Sequence, residues 1–164
     1  LPFLKCTNFM TEPNASWLEF LSPQAISLES ANMHGGMVVA LTHLGVLAVS
    51  GTDAKNFLHN QLTNDVLELP RGAMHLGGYC SPKGRLLTTL LIWKSDESVM
   101  LVMPRELLPG VQKRLQMFVL RSKVTLADVS DQVVLIGVTA PDLKEINFST
   151  ADGFNAVWPS AAGL

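Results

Sequence analysis

Residues 77–93 read Gly-Gly-Tyr-Cys-Ser-Pro-Lys-Gly-Arg-Leu-Leu-Thr-Thr-Leu-Leu-Ile-Trp, and no other stretch restricts the fold as much. Ser81-Pro82-Lys83-Gly84 has the chemistry of a β-turn: proline presets φ at the second position, serine suits the first and glycine the fourth. The flanks therefore read as a hairpin. The arm over 85–93 is almost continuously apolar, so it is expected to be covered on both faces or nearly so. Two adjacent threonines within it, Thr88 and Thr89, carry hydroxyls that need partners once buried. A core strand with such groups can double as the wall of a site, although threonine is also an ordinary strand former.

A length of 164 residues suits one domain. With 48% apolar and 16% charged residues the chain is no disordered segment. Its low charge fits a well-buried core or a surface that meets another segment. A net charge of −2 gives no global reason for binding nucleic acid or an anionic membrane. Two cysteines, Cys6 and Cys80, make neither a disulfide framework nor a metal set. His34, His43, His59 and His75 never fall into ligand spacing, so no metal site is expected. The expected setting is the reducing cytoplasm, with the mitochondrial matrix as the alternative. No apolar run approaches the ~18 residues that span a bilayer. The first six residues lack the pattern of a signal peptide. They also lack an initiator methionine, so the first residues are expected to be missing or trimmed.

Taken in order, residues 1–37 read as an irregular leader with one short helix over 14–21, ended by Pro23. Residues 38–41 and 44–49 predict two strands joined by a tight turn at Thr42-His43. Ser50 or Thr52 would then cap a helix whose apolar stripe is Ala54, Phe57, Leu58 and Leu62, with Asp53 complementing the dipole. Thr63, Asn64 and Asp65 would end it by competing for its hydrogen bonds. A three-stranded meander over 74–80, 85–93 and 99–103 follows. A second helix starts at Pro109, with Val111, Leu115, Phe118 and Val119 inward and Lys113, Arg114, Arg121 and Lys123 outside or near its end. No aromatic residue is read as interleaving those cations, so they are expected to be a solvated helix face rather than a nucleic-acid patch. Strands over 123–127 and 133–139, a short helix over 141–146 and a strand over 153–158 complete the chain. Hairpins dominate this order. The fold class is therefore α+β with mostly antiparallel pairing.

Motifs for catalysis are missing. Gly77-Gly78 and Gly84 lie within a hairpin, not between a strand and a helix N-terminus where they would cradle phosphate. There is no Gly-x-Ser-x-Gly elbow. No pair of carboxylates sits on a buried strand where burial would tune a pKa for acid–base work. Cys80 reads as a small buried residue rather than a reactive thiol.

Two motifs in their relative placement say more. Residues 50–66, Ser-Gly-Thr-Asp-Ala-Lys-Asn-Phe-Leu-His-Asn-Gln-Leu-Thr-Asn-Asp-Val, precede residues 78–85, Gly-Tyr-Cys-Ser-Pro-Lys-Gly-Arg. Together they resemble the YgfZ family, folate-binding proteins related to the glycine-cleavage T-protein, an aminomethyltransferase. The similarity extends over residues 38–140. It implies a β-β-α-β-β-β-α unit that is duplicated with its C-terminal strands exchanged. Residues 38–128 would be the first unit, with 123–127 as the exchanged strand. Residues 129–164 would begin the second, the rest and a C-terminal barrel being absent.

The resemblance implies tetrahydrofolate in a central cavity, faced by Leu44, Asn64, Asp65, Leu76, Tyr79 and Thr89. Asn64 and Asp65 would meet the pterin edge, whereas Lys83 and Arg85 at the hairpin tip read first as a solvated turn, with contact to a glutamate tail or RNA phosphate as the alternative. It further implies a role in tRNA modification and iron–sulfur enzyme maintenance, with iron–sulfur tRNA-modifying enzymes as partners. In the aminomethyltransferases a catalytic aspartate lies on the strand after the Lys-Gly turn. That position falls here at Thr89, beside Thr88, and a hydroxyl cannot supply a carboxylate's charge. The expected function is thus accessory folate binding, with no catalytic residue. A folate-dependent one-carbon transferase is the alternative, and an α+β fragment that dimerises through exposed strand edges is a third reading. Leu44 stands where some members have tryptophan. The family signature Lys-Gly-Cys-Tyr-x-Gly-Gln-Glu belongs to a later part of the chain, so these residues are expected to be the N-terminal part of a longer protein.

Overall fold

The computed structural model describes residues 3–8, 37–70, 74–95, 97–139 and 155–157. In chain order they form β1 (Phe3–Asn8), β2 (Met37–Ala40), β3 (Leu44–Ser50), α1 (Ala54–His59), β4 (His75–Cys80), β5 (Leu86–Lys94), β6 (Ser98–Pro104), α2 (Leu108–Val119), β7 (Thr125–Asp128), β8 (Val133–Thr139) and β9 (Asn155–Val157). They divide into two units, His43–Asp131 and the flanking Leu1–Thr42 with Gln132–Leu164. The fold is α+β, with antiparallel pairing throughout both sheets.

The flanking unit holds a four-stranded sheet ordered β2-β8-β1-β9. Two expectations change here. Phe3–Asn8 is not irregular but a strand, paired with β8 from Phe3↔Val138 to Asn8↔Val133. β2 and β3 are joined by the expected turn, yet they enter different sheets, since β2 pairs with β8 and β3 with β6 and β7. Alternating apolar residues near a turn do not say which distant strand completes the pair. The helices expected over 14–21 and 141–146 lie outside the described residues.

The unit His43–Asp131 is a five-stranded sheet ordered β4-β5-β6-β3-β7. β7, expected to be exchanged away, pairs with β3 of the same sheet from Leu47↔Asp128 to Ser50↔Thr125. Its turn at 81–84 is as expected: the Gly84 N–H donates to the Ser81 carbonyl at 2.8 Å, with Gly84 at φ 74°. One row of residues runs His75, Ile92, Leu101, Leu47, Asp128 across the strands. The adjacent row runs Leu76, Leu91, Val102, Val46. Because side chains alternate along a strand, these rows face opposite ways.

The first row belongs to the helix side. Leu47, Val49, Leu90, Ile92, Val99, Leu101, Met103 and Leu126 pack there with Ala54, Phe57 and Leu58 of α1 and Leu108, Val111, Leu115 and Val119 of α2. Each fully buried leucine contributes about 1.5–3 kcal/mol. Phe118, expected inward, is exposed, and Leu108 completes the stripe instead. At about 100° per residue, Phe118 falls on the flank of a stripe centred between Val111, Leu115 and Val119.

α1 ends at His59, a turn short of Leu62, which instead bridges to Tyr79. Its N-cap is Asp53, not Ser50 or Thr52, and the carboxylate makes no bond to the helix. Asp53 Oδ2 accepts the Lys123 N–H at 2.8 Å, and the Asp53 N–H donates to the Lys123 carbonyl at 3.4 Å. This fastens the start of α1 to the segment leading into β7. Full cover of the hairpin arm also fails at its tip. Leu86 and Leu87 are exposed, and burial begins at Thr88, whose hydroxyl donates to the Thr89 carbonyl at 3.0 Å.

Candidate functional site

The sheet face away from the helices grades from covered to open. Val46 and Val102 are buried, Leu91 is half-buried and Leu76, at the end of the same row, is 59% exposed. Two residues along each strand, alternation brings Gly78 paired with Thr89 and Pro104 paired with Leu44 to this same face. Three of the expected site residues, Leu44, Leu76 and Thr89, therefore share one face. Thr89 is exposed and Leu44 half-buried. Around Thr89 the accessible part is a strip of leucine, Leu76 and Leu91. Gly78 itself is buried: a Cβ there would come within 2.8 Å of Leu86 Cδ1 and 3.5 Å of the Thr63 side chain, so the missing Cβ lets those two side chains close over the strand.

Asn64 and Asp65 are set by the segment after α1, which runs along the outer edge of β4. Thr63 exchanges two bonds with Gly78: its N–H donates to the Gly78 carbonyl at 3.0 Å, and its Oγ1 accepts the Gly78 N–H at 2.8 Å. Asn64 Nδ2 donates to the Leu76 carbonyl at 3.0 Å. An open strand edge is thus satisfied without a further strand. Gly77 permits this, because a Cβ there would overlap Asn64 Oδ1 and lie 2.7 Å from Ile92 Cδ1. Asp65 Oδ1 accepts the N–H groups of Leu67 and Glu68 at 3.1 and 3.3 Å, and His59 Nδ1 lies 3.2 Å away. Both side chains hold local backbone. Their bonds account for Asn and Asp at these positions without any ligand.

Tyr79 lies on the helix side, buried, opposite Thr88. Burial pushes its phenol above the ordinary 10.0, and the Arg114 guanidinium, which favours the phenolate, opposes the shift. Since the fold favours the neutral phenol, the unfolded chain ionises first, so stability is lost as pH rises past 10.0. Tyr79 is the only tyrosine in the chain, so tyrosinate absorbance reports it alone. The expected midpoint lies above 10.0 and moves further up in Arg114→Gln. A midpoint below 10.0 would contradict the burial described.

The structure thus gathers Leu44, Leu76 and Thr89 on the far face, Tyr79 on the helix face, and Asn64 and Asp65 at the β4 edge. Sequence reasoning does not place Leu91, Gly78 or Thr63 at the site. The Gly77-Gly78 pair before a hairpin was the signal for the last two, since adjacent glycines in a strand mark close approach of other atoms. Strands β3 to β6 contain no Asp or Glu. These four strands therefore give the far face apolar side chains and hydroxyls but no carboxylate of their own. Among the described residues, no cluster of three or more His, Cys, Asp or Glu could hold a metal. No helix there is long and apolar enough to cross a membrane.

A family model described as the GCVT N-terminal domain matches residues 20–152. An uncharacterized protein of Haemophilus influenzae is 34% identical over 114 residues, 68% of this chain and 40% of that protein. The tRNA-modifying protein YgfZ of Hamiltonella defensa is 28% identical over 66% of this chain and 32% of its own length. An aminomethyltransferase of Bacillus velezensis is 31% identical over 65% of this chain and 29% of its own. The chain spans well under half the length of these relatives. The crystal structure of the glycine cleavage system aminomethyltransferase T from Bartonella henselae matches with a TM-score of 0.60 at 18% identity. That match covers 66% of this chain and 30% of that one, and it is a likeness of fold. With more than half its residues matched to that model, the chain belongs to the GCVT N-terminal domain family.

Proposed function

We propose that this chain is the tetrahydrofolate-binding part of an accessory protein that supports tRNA modification and iron–sulfur enzyme maintenance, and that it does not transfer aminomethyl groups. The observation that carries the reading is Thr89. It lies exposed on the far face, paired with Gly78, on a set of strands without any carboxylate. The kinship with both YgfZ-named proteins and aminomethyltransferases supports a folate ligand. The far face fits one. Leu76 and Leu91 offer an apolar strip for a planar ring, and Thr89 offers a hydroxyl to a polar edge. Lys83 and Arg85, exposed at the hairpin tip, complement an anionic tail.

A bound tetrahydrofolate would supply its one-carbon chemistry through ring and anilino nitrogens. The chain's own residues would bind and orient it. A developing cation beside Thr89 would meet a dipole where a transferase presents a full negative charge, and that difference disfavours turnover. The test combines a calorimetric titration of tetrahydrofolate with an aminomethyl-transfer assay on the same chain. Saturable heat without turnover is expected. Turnover would overturn the accessory reading, and the absence of heat would overturn the folate reading.

A further inference from the structure

We infer that the C-terminal end of α2 is a docking surface for a protein partner whose contact segment is apolar and rimmed by acidic residues. Met117, Phe118 and Leu120 are 59%, 46% and 86% exposed, three large apolar side chains within four positions. Leu120 is the most exposed, and it is held at φ 42°, a conformation that leucine rarely adopts. The backbone after it is fastened on both sides. The Ser122 N–H donates to the Val119 carbonyl at 2.7 Å, and Lys123 is joined to Asp53 by two backbone-anchored bonds. A strained leucine kept in solvent, where glycine would avoid both the strain and the exposed apolar surface, points to a role other than stability.

Charge specifies the partner. Residues 107–127 contain four of the chain's 12 cations, Lys113, Arg114, Arg121 and Lys123, and none of its 14 acidic residues. All four are exposed, and among the described residues none is ion-paired. Methionine, aromatic residues and arginine are the types enriched where proteins meet, and a cationic rim selects an acidic complement. The phenylalanine that lies among these cations on the surface corrects the sequence reading, which placed it in the core. RNA would use the cations and Phe118, but bases stack on aromatic rings and gain little from Met117 or Leu120. Two aliphatic anchors favour a protein.

The inference is independent of folate binding on the far face. The probes are a labelled amphipathic helical peptide with a Leu/Phe face flanked by glutamates, the same peptide with lysines for glutamates, and a labelled oligouridylate. They are titrated against the whole chain by fluorescence anisotropy. The glutamate peptide is expected to bind, and the lysine peptide and oligouridylate to bind far more weakly. Phe118→Ala and the pair Arg114→Glu with Arg121→Glu should each weaken the glutamate peptide about tenfold. Leu120→Gly should weaken it too while raising Tm by about 2 °C, because glycine relieves the strain. A purely structural Leu120 would not separate those two readouts. Several results would overturn the inference: no binding of the glutamate peptide, tighter binding of oligouridylate, variants that leave affinity unchanged, or a dimer of the chain that Phe118→Ala dissociates.

Discussion

Gly51→Ala is expected to destabilise the protein by about 3–5 kcal/mol, a large part of the 5–15 kcal/mol that holds an ordinary domain together. Gly51 has φ 112°, where a side chain is strained. An added Cβ would also overlap the Lys123 carbonyl oxygen and stand 2.9 Å from its carbon and 3.2 Å from Val124 Cα. These are backbone atoms that cannot swing aside. They are also the atoms that Asp53 ties to α1, so relief of the clash would break both bonds between Asp53 and Lys123. Urea denaturation should show a large fall in midpoint at constant slope. A midpoint within experimental error of the wild type would show that 51–53 and 123 are not in contact as described.

Gly77→Ala is expected to cost about 2–3 kcal/mol, through a different atom. The new Cβ would displace the Asn64 side chain, which would lose its 3.0 Å bond to the Leu76 carbonyl and uncover the β4 edge. Asn64→Ala alone should cost about 1 kcal/mol. Because one clash and one bond are shared, the double variant should be less destabilised than the sum of the singles by about 1 kcal/mol or more. Strict additivity would mean that Asn64 does not lie over Gly77.

The parts of this fold that could be read from sequence were those set by local chemistry. Ser81-Pro82-Lys83-Gly84 makes the expected turn because each residue favours its own turn position. The α2 stripe of Val111, Leu115 and Val119 follows from helical spacing alone. What was misread depended on distant partners. β2 separates from β3 because β8, more than ninety positions on, takes its hydrogen bonds. Asp53 looks like a dipole-compensating residue, yet its carboxylate is drawn to a backbone N–H seventy positions away. Thr88 and Thr89 are a pair in sequence, but the sheet sends one inward and the other out, and only the outward one can serve a site. Leu44 and Thr89, far apart in sequence, were brought to one face by strand register that no local pattern reveals. Asn64 and Asp65 had two readings from sequence alone. The structure gives each a backbone to hold.

The central claim is that the far face of the sheet binds tetrahydrofolate, and calorimetric titration of the chain with that ligand tests it most directly when run beside Leu76→Glu. Leu76 is 59% exposed, so the substitution leaves the core intact, but it puts a charge on the strip where a ring would lie. Saturable binding by the wild type is expected, with a loss of about tenfold or more in affinity for Leu76→Glu and unchanged affinity for Phe118→Ala on the opposite side of the sheet. No heat from the wild type, or equal affinity in Leu76→Glu, would contradict it.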